Sequence, residues 1–162
     1  MILGDPYKFA ILFSEVKTWN LDDIFCNGVL FLGVDGEIFP KRFITATLKS
    51  EIILLKEKLK NIVRDEQLFE TEKEKAFKHI YEITFPEDIE VMNDYRFDIT
   101  PPSFEEDDCY VFGVSNGELV KILAAKLEYV VERSRHNLEG INVREAVLSL
   151  AELKDITCKL SL

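Results

Sequence analysis

Phe25-Cys26-Asn27-Gly28-Val29-Leu30-Phe31-Leu32-Gly33-Val34 runs apolar into Asp35-Gly36, and Glu37-Ile38-Phe39-Pro40-Lys41-Arg42-Phe43-Ile44 leads away from it. Asp-Gly between two apolar runs specifies a hairpin, because a tight type I′ turn needs positive φ at both central positions. The spacing predicts a two-stranded antiparallel ribbon. Upstream, Phe9, Ile11 and Phe13 alternate with Ala10, Leu12 and Ser14, which is the period of a further strand.

Downstream the period changes. Leu48, Ile52, Leu55, Leu59 and Ile62 recur at three and four with lysines and glutamates between them, so an amphipathic helix is expected over Leu48–Val63 with one stripe on the sheet. A second helix is expected over Glu66–Tyr81, its apolar face made by Leu68 or Phe69, Ala76, Phe77 and Ile80. Beyond Thr84, Pro86, Pro101 and Pro102 interrupt regular structure, and only Tyr95–Ile99 reads as a short strand. Cys109–Val114 resumes strand pattern, and Asn116-Gly117 marks a hairpin returning towards Glu132, with Lys126–Arg133 readable as strand or helix. Arg135–Gly140 reads as a turn and Ile141–Leu148 as a strand with Ile141, Val143 and Val147 inward. Ser149-Leu150-Ala151-Glu152 has the form of a capping box opening a last helix to Leu160. The expectation is one α+β domain over residues 1–162, an antiparallel sheet built from hairpins with two to three helices on one face.

At 162 residues the chain can bury a core without disulfides or metal. It carries no apolar run long enough to span a membrane and no basic, apolar leader, so a cytoplasmic protein is expected. Cys26, Cys109 and Cys158 are far apart, lack ligand spacing, and read as buried free thiols. The formal net charge is −10, and it is concentrated. Glu82–Glu118 holds eleven acids against the single base Arg96, while the remainder is near neutral. Such a field repels nucleic acid and suits a basic protein partner.

The signals for catalysis are weak. His79 and His136 have no partner motif and read as structural, and neither a P-loop nor a dinucleotide-binding glycine pattern is present. Glu105-Glu106-Asp107-Asp108 lacks the alternating ligands and central glycine of a calcium loop, and it lies on a Pro-flanked stretch expected to be mobile, a poor base for a carboxylate enzyme. No enzymatic activity, metal or cofactor is therefore expected. Recognition is the better use of the acids: Asp94, Asp98, Glu105, Glu106, Asp107 and Asp108 are interleaved with Tyr95 and Tyr110, and charge that steers around rings that anchor is the pattern of a protein interface. Alternating rings in strands are also ordinary core. Reversing Glu106 and Asp107 to lysine is expected to slow association and leave the fold intact.

The N-terminal run Ile2-Leu3-Gly4-Asp5-Pro6-Tyr7-Lys8-Phe9-Ala10-Ile11, then Trp19, Gly28 and Asp35-Gly36-Glu37, resembles the opening of a family of small bacterial immunity proteins. These are antidotes encoded beside polymorphic toxins, including those of contact-dependent growth inhibition systems. Leu119–Glu132, Ile141-Asn142-Val143 and the Ser149-capped helix are similar to that family too, which leaves Arg64–Asp108 outside the resemblance. The resemblance implies a non-enzymatic, cytoplasmic protein that forms a heterodimer with one toxin domain, often an RNase or DNase, and blocks its basic active-site cleft. Two other readings stay open: an acidic adaptor for a basic protein unrelated to toxins, and a carboxylate- or metal-dependent hydrolase.

Overall fold

The computed structural model describes residues 1–21 and 24–162. Five antiparallel strands form the first sheet: β1 (Ile2–Asp5), β2 (Phe9–Glu15), β3 (Asn27–Val34), β4 (Glu37–Phe39) and β5 (Ala46–Thr47). Their order is β1-β2-β3-β4, with β5 pairing the start of β3. The expected hairpin is β3–β4. Asp35 and Gly36 both have positive φ, and Val34 pairs Glu37 across them. The returning strand is shorter than the sequence suggested and ends at Phe39, ahead of Pro40, which has no amide to donate.

Helix α1 (Leu48–Lys60) buries Leu48, Ile52, Leu55 and Leu59 against this sheet. The expected second helix is divided into α2 (Glu66–Glu70) and α3 (Lys73–Thr84). Thr71 between them is extended, and its carbonyl accepts from the buried ammonium of Lys121 at 3.1 Å. A buried cation must find acceptors, and the break in the helix supplies one.

The second sheet has the order β10-β7-β6, with β6 (Cys109–Ser115), β7 (Leu119–Lys126) and, near the C-terminus, β10 (Arg144–Ser149). It is the middle layer. Val111, Val120, Ile122, Ala124, Ala146 and Leu148 face the core shared with the first sheet, α1 and the C-terminal helix α4 (Leu150–Lys159). Tyr110, Phe112, Val114, Leu123 and Ala125 face α2 and α3. Burial on both sides explains why every residue of β6 is buried. The fold is α+β, as expected, but its helices lie on both sides of the second sheet, because both faces of β6 and β7 carry large apolar side chains.

Four local expectations are corrected. Tyr95–Ile99 is a turn with one bridge, Asp98 to Phe112, because Asp94 and Asp98 accept from the amides of Arg96 and Thr100 and close Asx turns. Arg135–Asn137 is strand β9, paired with β8 (Glu128–Val130), and Val131–Arg133 is a single 3-10 turn between them. Strand β10 begins at Arg144, with Ala146 and Leu148 inward and Ile141 and Val147 only partly buried. Of the thiols, Cys109 is buried, Cys26 is half-buried and Cys158 is exposed. The Ser149 capping box forms in full: its hydroxyl accepts from the Glu152 amide at 3.1 Å and its own amide donates to Glu152 at 2.7 Å.

Candidate functional site: the acidic segment and the aromatic cleft

Pro101 and Pro102 lead into a 3-10 turn, Pro102–Asp107, which is pinned rather than mobile. From one side, the buried carboxylate of Glu51 on α1 accepts from the amide and hydroxyl of Ser103 at 3.2 and 2.7 Å. From the other, Asp107 accepts from the amide of Lys41 at 2.7 Å, from Lys126 Nζ at 2.6 Å, and pairs with Arg42 Nε at 3.1 Å. Burial alone would push the Asp107 carboxyl up, but the bonds from Lys126 and Lys41 outweigh it and hold the group below its usual value.

Asp107 is therefore a tie-point between the β4–β5 connection, the 3-10 turn and β7. With its side chain 3% exposed, its reversal to lysine cannot leave the fold intact. Asp98 pairs with Lys58 at 3.0 Å, Asp94 with Arg96 at 2.9 Å, and Asp108 with His136 at 2.7 Å. Glu87 meets Arg135. Lys58 and Arg135 from other elements, with Lys126 and Arg42 at Asp107, thus offset part of the field concentrated in the sequence, Arg96 pairs within the segment, and His136 gives Asp108 a hydrogen bond. Among the described residues Glu82, Asp88, Glu90, Glu105, Glu106 and Glu118 have no ion pair. Glu105 and Glu106 stand exposed on the 3-10 turn, and burial together with Asp98 raises the Glu105 carboxyl.

Of the two candidate anchors, Tyr110 is core at 6% exposure and Tyr95 is surface at 56%. They are joined by rings: Tyr95 lies 6.2 Å from Phe85, Phe85 5.4 Å from Tyr110, and Tyr110 5.2 Å from His136. Phe85, Tyr110 and His136, with Tyr81 and Tyr129, line a cleft of about 810 Å³ between the end of α3 and the β8–β9 hairpin, and Tyr95 lies outside it. His136 is held by two partners. Its Nδ1 lies 2.6 Å from the Tyr81 hydroxyl and its Nε2 2.7 Å from Asp108 Oδ1. A carboxylate can only accept, so Nε2 donates to Asp108 and Nδ1 accepts from Tyr81.

Both imidazole nitrogens are engaged within the protein, one as acceptor and one as donor. Burial, with the Asp108 and Glu105 charges adding to it, pushes the Tyr81 phenol up to about 12, and burial and Asp107 push the Cys109 thiol up to about 12. Neither is poised as a nucleophile, since activation requires a lowered value. What the arrangement does is cross-link α3, the 3-10 turn and the hairpin. Among the described residues no three His, Cys, Asp or Glu side chains converge to hold a metal ion, and no helix is long and apolar enough to cross a membrane.

One feature was absent from the sequence reading. Between α3 and Tyr95 the chain projects a loop with Ile89 98%, Val91 52% and Met92 88% exposed. Its base is closed on the end of α3: the Asn93 side chain donates to Thr84 O at 2.8 Å and the Asp94 amide to Ile83 O at 2.9 Å. The available signal was apolar residues in a Pro-bounded, aperiodic stretch where no helix or strand could bury them.

Unpaired acids around exposed apolar side chains suit contact with another macromolecule rather than turnover of a small molecule. The chain belongs to the immunity protein 42 (Imm42) family, whose model matches residues 1–162 and so includes the middle that the sequence resemblance did not reach. Its fold is similar to that of the crystal structure of CdiI from Burkholderia dolosa AUO158, at 23% identity and a TM-score of 0.77 over 98% of this chain and 96% of that one. No curated protein matches it.

Proposed function

We propose that this chain is the immunity protein of a contact-dependent growth inhibition system, acting in the cytoplasm as a one-to-one complex with its cognate toxin. In this reading the toxin is a nuclease, RNase or DNase, and the immunity protein covers its basic active-site cleft without chemistry of its own. The family and the fold shared with CdiI support an immunity role. The observation that carries the choice of surface is the pair Glu105 and Glu106, exposed and without ion pairs on a turn held rigid by Glu51 and Asp107. Asp94, Tyr95 and Asp108 keep part of their side chains exposed and join the proposed contact set. Asp98, Asp107 and Tyr110, which the sequence also nominates, contribute as its supports, because their side chains are largely covered.

A nuclease cleft is basic because it holds phosphate, so fixed carboxylates compete with nucleic acid for the same field. The test is a stopped-flow association measurement with the toxin domain encoded immediately upstream, alongside its nuclease assay. Glu105→Lys/Glu106→Lys should lower kon at least tenfold at low salt, and stoichiometric wild-type chain should abolish nucleic-acid cleavage. An unchanged kon at low salt would remove this face from the interface, and a toxin without nuclease activity would remove the nuclease reading.

A further inference from the structure

We infer that the loop Pro86–Tyr95 is the affinity-setting prong of the toxin interface, seating in an apolar socket rimmed by basic side chains on the toxin domain. The inference rests on the immunity reading above. Ile89 and Met92 are 98% and 88% exposed, with Val91 and Tyr95 each more than half exposed beside them. Four large apolar side chains held outward within seven residues carry a hydration cost that the fold does not relieve.

The backbone beneath them is not free to fold them inward. Besides the two bonds that close the loop on α3, the Asp88 carboxylate accepts from the Glu90 amide at 2.9 Å and the Asp88 carbonyl from the Val91 amide at 3.0 Å. A shallow concavity of about 410 Å³ between Ile89, Met92 and Tyr95 leaves room for a side chain of the partner. A preformed apolar prong loses little conformational entropy on binding, which is what gives such residues disproportionate weight in an interface.

Charge selects the occupant. Among the described residues Asp88 and Glu90 have no ion pair, while Asp94 and Glu87 are matched by Arg96 and Arg135. Pairing two copies through this loop would bring Asp88 and Glu90 of both together with no additional base, which disfavours a second copy of this chain. A basic rim on the toxin relieves the same acids. Burial of the apolar side chains then governs how slowly the complex separates, and the acids govern how fast it forms.

The test is biolayer interferometry of the upstream-encoded toxin domain against three variants, with gel filtration of the free chain. Ile89→Ser/Met92→Ser should raise Kd at least about 100-fold, almost wholly through koff, with kon within about threefold of wild type. Met92→Ser alone should raise Kd about tenfold, and Met92→Leu should restore it. All three should melt like wild type, because these side chains are already in water. If wild type binds and the double variant binds equally well, the prong is refuted and the immunity reading stands. If wild type does not bind, both fall. A concentration-dependent dimer of wild type, lost in the double variant, assigns the loop to self-association and overturns the inference.

Discussion

Replacing Asp107 by alanine separates two roles that a run of four acids conceals. The substitution removes two ion pairs, one backbone hydrogen bond and a weak thiol contact from Cys109 Sγ at 3.6 Å. The ion pairs to Lys126 and Arg42 reach donors that are 43% and 64% exposed, so solvent replaces much of each and they contribute under about 1 kcal/mol apiece. The Lys41 amide is partly buried and loses its carboxylate acceptor, which costs about 1–2 kcal/mol. Together these give a destabilisation of about 2–3 kcal/mol, or a Tm lower by about 5–10 °C for a chain of this size.

Asp107→Asn keeps an acceptor for Lys41 and loses only the charge, so it should fall between the two. The pH dependence has a definite sign. The folded carboxyl titrates below its ordinary value of 3.8, so its contribution is fully present above that value and is lost as pH falls through the lower folded one. Guanidinium unfolding of wild type and Asp107→Ala at a series of pH values should therefore show a gap that is constant above 3.8 and narrows below it. A gap within about 0.5 kcal/mol of zero at neutral pH, the range of an inconsequential surface substitution, would refute the assignment of Asp107 as a structural tie.

Four further outcomes follow, three from the packing and one from an exposed ion pair. Gly28→Ala should destabilise by about 1–3 kcal/mol in chemical denaturation, because a Cβ there meets the Ser14 carbonyl oxygen and lies 2.6 Å from Leu48 Cδ1, forcing β2, β3 and α1 apart. Tyr81→Phe should cost about 1–2 kcal/mol by leaving His136 Nδ1 without its donor, and the imidazole nitrogen shifts in an NMR spectrum should move with it. Ser149→Ala should cost about 1 kcal/mol through loss of the helix cap. The Glu152 carboxyl, held down at about 2 by the Lys8 hydrogen bond and then by Ser149, should rise in Lys8→Met when followed by NMR titration. Its contribution is present above the ordinary 4.5 and disappears as pH falls through about 2.

The sequence was most legible where one local rule dominates. Asp35-Gly36 fixed a turn, Leu48–Leu59 kept one period for a whole helix, and Ser149 with Glu152 wrote its own cap. It was least legible where a distant residue decides. Lys121, fifty residues from Thr71, takes the carbonyl that ends α2. His136 reads as part of a basic turn until Tyr81 and Asp108 are brought to its two nitrogens. The same holds for the acids. Glu106 and Asp107 are neighbours of like charge in the chain, yet one is exposed and the other is enclosed by Lys41, Arg42 and Lys126, none of which lies within the acidic segment.

That division changes what the concentrated charge implies. If all eleven acids of Glu82–Glu118 faced a partner, electrostatics alone would account for binding, and affinity would collapse with salt. Instead four are ion-paired within the protein, with Arg135, Arg96, Lys58 and the cations around Asp107, and a fifth, Asp108, takes a hydrogen bond from His136. The unmatched remainder can guide an encounter but is too exposed to hold it. In the proposed interface, holding falls to side chains that water disfavours, and the Ile89–Tyr95 stretch presents four of these beside the unpaired acids Asp88 and Glu90. An interface so divided predicts its own salt response: ionic strength should lower kon while leaving koff nearly constant, and a koff that rises in step with salt would return the binding energy to the carboxylates.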